Sequence, residues 1–261
     1  MKTNPALFSA NELLNAYSNK TMSPVEATQA ILEHIKNYDK KLNAFRLVDE
    51  EKALKSARAS EERWSMGTPA GLVDGVPTTI KDLVATKGWS TRRGSLTTND
   101  KGPWDEDAPL VARLRSNGAV LLGKTTTPEF GWKGVTDSPL TGITRNPWDL
   151  TKTPGGSSGG AAAAAAACFG ALHHGSDGGG SIRMPSGYTG IYGLKPTFGR
   201  VPTWPASGFG TLSHQGPMTR TVDDAALMLT VMSEPDPKDW YALPEQNCDW
   251  RKSMDQTVRG W

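Results

Sequence analysis

Two serines and a lysine stand in settings suited to acyl transfer. Ser157 lies in Gly155-Gly156-Ser157-Ser158-Gly159-Gly160, and Ser181 follows Asp177-Gly178-Gly179-Gly180 and precedes Ile182-Arg183. Lys81 follows Thr78-Thr79-Ile80 and precedes Asp82. Glycines before a serine let several backbone N–H groups approach one point. Donors so gathered would hold the oxyanion of a tetrahedral acyl intermediate. A buried lysine loses its proton easily, because desolvation disfavours the charged form, and its neutral amine then serves as a general base. The set suggests acyl transfer without a histidine base.

Each residue also has a plainer reading. Gly178–Gly180 can be a simple turn before a helix. Lys81 can be an exposed lysine paired with Asp82. The Gly155–Gly160 segment can be a flexible linker or a phosphate loop, but it lacks the Gly-Lys-Ser/Thr ending of a P-loop. Seven alanines, Ala161–Ala167, follow at once. They predict a closely packing helix that holds the loop rigid. His173, His174 and Asp177 lie near Ser181 in sequence, so a Ser-His-Asp arrangement is conceivable. The absence of a G-x-S-x-G elbow weighs against it. Cys168 reads as a small buried hydrophobe. Trp132, Trp148, Trp204 and Phe209 are candidates for a pocket lining, although scattered aromatics more often belong to a core.

The elements that must position these residues are helical at first. Ser23-Pro24-Val25-Glu26 is a capping box with proline at the first helical position, and Ala27, Ile31 and Ile35 recur at helical spacing. Asn43–Val48 suits an extended segment, and Asp49–Trp64 a largely exposed helix. From Gly71 the texture changes. Val76–Ile80, Pro109–Ser116, Ala119–Leu122 and Ala161–Phe169 alternate between strand-like and helical runs, which argues for an α/β fold with a largely buried sheet. Gly118 fits a helix C-terminus. Thr221 with Asp224 opens a helix over Val222–Met232.

Composition narrows the class. With 261 residues, 37% hydrophobic and 21% charged, the chain suits a soluble globular protein. The net charge of +2 comes from interspersed residues, with no basic block for nucleic acid. Cys168 and Cys248 make no disulfide framework, which places the protein by default in a reducing, cytoplasmic compartment. The N-terminus has no apolar core of signal-peptide length and the longest apolar run is too short to span a bilayer, so no membrane association is expected. The four histidines and two cysteines show no zinc-type spacing, so no metal is expected.

Five segments in order carry a resemblance to the amidase signature family. They are Gly75–Asp82, Arg145-Asn-Pro-Trp-Asp149, Thr153–Gly160, Asp177–Arg183 and Gly190-Ile-Tyr-Gly-Leu-Lys-Pro-Thr-Phe-Gly-Arg200. The resemblance runs from about Glu12 to the last residue. It implies a Ser–cis-Ser–Lys triad with Ser181 as nucleophile, Ser157 as bridging serine after a cis peptide, and Lys81 as base. It further implies an oxyanion hole from the N–H groups of Gly178, Gly179, Gly180 and Ser181, and supporting roles for Ser158, Asp177 and Arg183. The implied fold is a mixed, mostly buried sheet with helices on both faces. Residues 1–65 would form an N-terminal helical arm and 66–261 the amidase signature core. Members of the family are usually nearly twice this length. The chain therefore resembles the N-terminal part of a longer member, with a fold incomplete at its C-terminus and Asp255–Trp261 leading toward a further strand.

The implied function is amide hydrolysis to acid plus amine or ammonia, through an acyl-enzyme and without a cofactor. The partner would be a small-molecule amide, with no direct role for nucleic acid; a homodimer is left open. Two rivals remain. One is the glutaminase A subunit of a glutamyl-tRNA amidotransferase. That subunit typically carries Val-Ser-Arg-Tyr-Gly where this chain has Val201-Pro-Thr-Trp-Pro205, which favours a stand-alone amidase. The other is an inactive truncated fragment. The unusual His173-His174 pair suggests a subgroup.

Overall fold

The computed structural model of the chain describes residues 4–246, 248–255, 257 and 259. Gln256, Val258, Gly260 and Trp261, from the segment expected to approach a further strand, lie outside them. The first two helices, α1 (Ala10–Ser18) and α2 (Pro24–Leu42), each open on a complete capping box, Ser9 with Glu12 and Ser23 with Glu26. Helix α2 buries Ala27, Ile31 and Ile35, the stripe that the spacing predicts. Strand β1 (Phe45–Val48) follows, then α3 (Glu50–Ser65), capped by Asp49, which accepts the Lys52 N–H. Helix α3 is mostly exposed and turns Ala53 and Ala57 inward.

Strand β2 (Pro77–Lys81) is buried throughout, as is β3 (Val120–Thr125), and between them runs α4 (Pro109–Ser116). That helix ends as its glycine predicts: Gly118 has φ +83°, a conformation disfavoured for residues with a Cβ. A two-residue hairpin, β4 (Asp137–Ser138) and β5 (Gly142–Ile143), precedes the alanine helix α5 (Gly159–Ala166). This helix is shorter than the apolar run suggests. It stops before Ala167, and Cys168 sits at φ +59°, half-buried rather than in the core. Strand β6 (Leu172–Asp177), helix α6 (Arg183–Thr189), strands β7 (Tyr192–Gly193) and β8 (His214–Thr219), and helix α7 (Val222–Met232) complete the regular elements that shape the site.

Six strands form one mixed sheet in the order β1-β3-β2-β6-β8-β7. Strand β2 pairs parallel with both β3 and β6, while β1, β8 and β7 pair antiparallel with their neighbours. Parallel central strands need crossovers, and helices supply them on both faces. On one face α1, α4 and α7 pack through Leu13, Leu110, Leu114, Leu227 and Met228 onto Ile80, Leu121 and Leu172. On the other, α2, α3 and α5 pack through Ile31, Ala57 and Ala164 onto Val120 and Leu122. Alternation along β3 thus sends Leu121 to one core and its two neighbours to the other.

The N-terminal helices are fastened to this frame. Strand β1 forms an edge of the sheet against β3, with Phe45 opposite Thr125 and Val48 opposite Gly123. The buried Asp224 carboxylate on α7 accepts the N–H groups of Ala10 and Asn11 at 3.0 and 3.1 Å, tying α1 down. Charge-assisted bonds of this kind are about twice as strong as neutral ones. None of the described helices is long and apolar enough to cross a membrane.

Candidate active site

The chemistry-bearing residues converge beyond the C-terminal ends of β2 and β6, two adjacent parallel strands, where open α/β sheets bind ligands. Lys81 is the last residue of β2 and is fully buried. Its Nζ lies 2.7 Å from Ser157 Oγ, 2.8 Å from Ser158 Oγ and 3.0 Å from Ser176 Oγ. Burial pushes the Lys81 amine down to about 7, while the Asp177 carboxylate partly opposes the shift. The neutral form of this amine is therefore accessible near neutral pH. The plainer reading of Lys81 as an exposed partner of Asp82 does not hold: Asp82 is itself buried and pairs with Arg46.

Ser157 and Ser158 occupy the turn into α5, and the Gly156–Ser157 peptide is cis. The loop is set by packing. At Gly156 a Cβ would lie 2.6 Å from the Val135 backbone, and at Gly160 2.4–2.6 Å from Thr126 atoms. Ser158 Oγ donates to the Ser176 carbonyl at 3.1 Å and accepts the Ser176 N–H at 3.2 Å, joining this loop to β6.

Asp177 closes β6 and organises the turn that carries Ser181. Its carboxylate accepts N–H groups from Gly180 at 2.7 Å and Ile182 at 3.1 Å, and a two-pronged contact from Arg183 at 3.0 Å each. Burial alone would raise its pKa. The Arg183 guanidinium and the main-chain donors outweigh that and hold it at about 2. The turn is also pinned by the Ser158 N–H, which donates to the Ser181 carbonyl at 3.2 Å.

The four glycine-turn donors are not equivalent. Gly180 turns its N–H onto Asp177, so it is not free to meet a substrate oxygen. The N–H groups of Gly178, Gly179 and Ser181 have no hydrogen-bond partner among the described residues. Ser181 is half-buried and faces the same cavity as Ser157. No hydrogen bond joins these two hydroxyls.

That cavity holds about 360 Å³. Leu83, Phe130, Trp132, Trp204, Pro205 and Phe209 supply much of its wall. Trp132 and Phe209 meet edge to face at 4.9 Å between ring centres. Trp148 is not part of it: the ring is 75% exposed and its Nε1 donates to the Thr189 carbonyl.

The histidines stand apart from this chemistry. His173 Nδ1 is 2.9 Å from Thr79 Oγ1, and His174 Nε2 is 2.9 Å from Gln215 Oε1. Both are fully buried, and burial pushes both down to about 3. Among the described residues neither bonds Ser181 or Asp177, so the Ser-His-Asp arrangement does not form. Two further residues do not stand out from the sequence. Ser176 is the third partner of Lys81. Lys124 on β3 is a second fully buried lysine, whose Nζ donates to the Val84 carbonyl at 2.5 Å and to Thr86 and Thr91 hydroxyls at 3.1 Å each. Ser176 sits inside β6, one residue before Asp177, and Lys124 inside β3, and neither position discloses its role.

The Amidase family model matches residues 26–260. Over 251 residues, 95% of this chain, the sequence is 41% identical to the A subunit of the glutamyl-tRNA(Gln) amidotransferase of Alkaliphilus metalliredigens, of which it covers 51%. It is 40% identical to the acylamidase of Rhodococcus erythropolis over 97% of this chain and 53% of that one. Among solved structures, a bacterial aryl acylamidase of the amidase signature family superposes with a TM-score of 0.87 at 35% identity, over 97% of this chain and 53% of that one. The peptide amidase of Stenotrophomonas maltophilia superposes with a TM-score of 0.88 at 32% identity, over 96% and 53%. The chain thus spans about half the length of the curated relatives it matches.

Proposed function

The chain belongs to the amidase signature family, and on that footing we propose that it hydrolyses a carboxylic amide through an acyl-enzyme on Ser181. The observation that carries this reading is the 2.7 Å contact between the buried Lys81 amine and Ser157 Oγ, in a cavity that Ser181 also lines.

The protons argue for Ser157 as the relay. Ser158 already donates its hydroxyl proton to the Ser176 carbonyl, so toward Lys81 it only accepts. The Ser157 hydroxyl has no acceptor other than Nζ among the described residues. A neutral amine offers two donors and one lone pair. The lone pair therefore meets the Ser157 proton, while Ser158 and Ser176 receive the N–H bonds. As substrate closes the site, Ser157 gives its proton to Lys81 and takes that of Ser181. Ser181 Oγ attacks the carbonyl carbon, and the oxyanion is met by the free N–H groups of Gly178, Gly179 and Ser181. Collapse breaks the C–N bond as Ser157 returns a proton to the leaving amine. Water, deprotonated along the same relay, then releases the carboxylic acid and restores Ser181.

Identity alone does not separate the amidotransferase relative from the acylamidase. The aromatic wall of Trp132, Trp204 and Phe209 favours an amide with an apolar or aryl body over glutamine. The direct test is labelling of the 261-residue chain by a fluorophosphonate, with Ser181→Ala as control. Labelling that depends on Ser181 supports the assignment. Labelling that persists in Ser181→Ala, or that is absent from the folded parent, removes it.

A further inference from the structure

The cavity has two charged residues in its wall, Asp177 and Arg93. Asp177 is neutralised in place by Arg183. Arg93 is not neutralised. Among the described residues its guanidinium makes no hydrogen bond and no ion pair; only its main chain is bonded, N–H to the Asp82 carbonyl at 3.0 Å and carbonyl to the Phe130 N–H at 2.8 Å. Its neighbour Arg92 differs, with Nε on Thr98 Oγ1 and a contact to Asp100. Of the two charged side chains in the cavity wall, only Arg93 therefore lacks a charge partner among the described residues.

The backbone at this point is unusual as well. Arg93 has φ +54°, in the left-handed region that residues with a Cβ seldom occupy. Phe130, whose N–H holds the Arg93 carbonyl, has φ +50°. Gly131 follows it, and a Cβ there would lie 3.4 Å from Ser157 Oγ. Two non-glycine residues in this conformation, linked to each other and abutting the relay serine, mark a segment whose shape is imposed by its surroundings. Such positions cluster at ligand clamps. The effect here is to fix the backbone from which the exposed Arg93 side chain lines the cavity.

We propose that Arg93 anchors a carboxylate carried by the substrate, so that the enzyme selects amides with an anionic group away from the scissile bond. The inference rests on the proposed amide hydrolysis at Ser181. A guanidinium presents a planar pair of donors that matches a carboxylate. The aromatic wall receives the body of such a molecule and the glycine turn its amide oxygen. At the partly exposed mouth of a cavity, one such pair is worth about tenfold in affinity.

The test measures binding to the full 261-residue Ser181→Ala chain, which needs no turnover. Titration calorimetry would compare succinamate with butyramide and 4-carbamoylbenzoate with 4-methylbenzamide, at low and high salt. At least one anion should bind about tenfold more tightly than its neutral partner, and high salt should narrow the gap. Adding Arg93→Gln should abolish the ratio between partners, and Arg93→Lys should keep part of it. A misfolded variant would weaken both members of a pair together, so the ratio isolates the charge. Equal affinities, no measurable binding of either anion, or a preference that survives Arg93→Gln would overturn the proposal. Fluorophosphonate labelling with no anion preference would sink Arg93 alone. Anion preference without labelling would sink the hydrolytic reading alone.

Discussion

Ser158→Ala should shift the acid limb of the acylation profile to lower pH. In the parent, the protonated Lys81 amine donates to three hydroxyls, and Ser158 accepts at 2.8 Å. A hydrogen bond to a charged group is worth about 1.5–3 kcal/mol and a neutral one about 0.5–1.5 kcal/mol. Losing the Ser158 acceptor therefore costs the ammonium roughly 1 kcal/mol more than it costs the amine. At about 1.4 kcal/mol per pKa unit, the Lys81 pKa falls by about 0.7 unit from its value of about 7. In the proposed mechanism the neutral amine is the active form, so the rate falls as pH drops through the pKa. At about pH 6 the parent then keeps about a tenth of its plateau rate and the variant about a third. The pseudo-first-order rate of fluorophosphonate acylation from about pH 5 to 9 reads this directly, because the reagent has no titrating group in that range. The plateau should also drop, since Ser158 helps hold β6 to the loop. A limb that stays in place or moves upward, with only the plateau lowered, would refute Lys81 as the titrating base.

Two packing predictions follow from the elements beneath the site. Gly160→Ala places a methyl against the Thr126 backbone, 2.5 Å from its nitrogen. Overpacking of this kind costs about 1–3 kcal/mol; thermal unfolding should show a drop of several degrees and acylation should slow as the Ser157 loop moves. Leu122→Ala empties a fully buried site between β3 and the alanine helix. It should cost about 2–5 kcal/mol in denaturant titration, with m unchanged.

Legibility of this protein in its sequence tracks the distance over which each feature is determined. Capping boxes, the Thr221 cap and Gly118 act within one turn, and the helices they bound match the expected limits closely. Ser157, Ser158, Asp177 and Ser181 stand out because glycines flank them, and their loops do come together around Lys81. Strand β8 is hidden. Gly216 and Pro217 have the composition of a turn, yet they pair with Gly175 and His174 across the sheet. Long-range pairing overrides local propensity there. The engagement of the Gly180 donor is hidden too, because a run of glycines does not disclose which N–H a neighbouring carboxylate will take. Arg93 and Lys124 are silent for the same reason: one is notable for lacking a partner among the described residues and the other for burial, and neither property is local.

The two buried lysines show why hydrogen-bond polarity, and not burial alone, singles out Lys81 as the proposed base. Burial pushes Lys124 down to about 7, as it does Lys81. Their partners differ. Around Lys124, the Thr86 and Thr91 hydroxyls each donate to the Val84 carbonyl at 3.1 Å, so both present only lone pairs to Nζ. With the Val84 carbonyl itself, Lys124 faces three acceptors, and Asp82 lies 3.8 Å away. Such a shell favours three N–H donors, which means an ammonium. Lys81 instead faces a Ser157 hydroxyl whose proton is uncommitted, and the carboxylate whose charge acts on it, Asp177, is saturated by Arg183. Replacing each lysine by methionine should separate the two roles. Lys124→Met strips Asp82 of one of its cationic neighbours and should cost about 3 kcal/mol, or roughly 6–12 °C in Tm. Lys81→Met removes a desolvated amine beside the proposed active-site cavity and should leave Tm within about 3 °C while abolishing acylation. The reverse ranking of Tm would mean that Lys81 carries the structural charge, and the proton relay through Ser157 would fail with it.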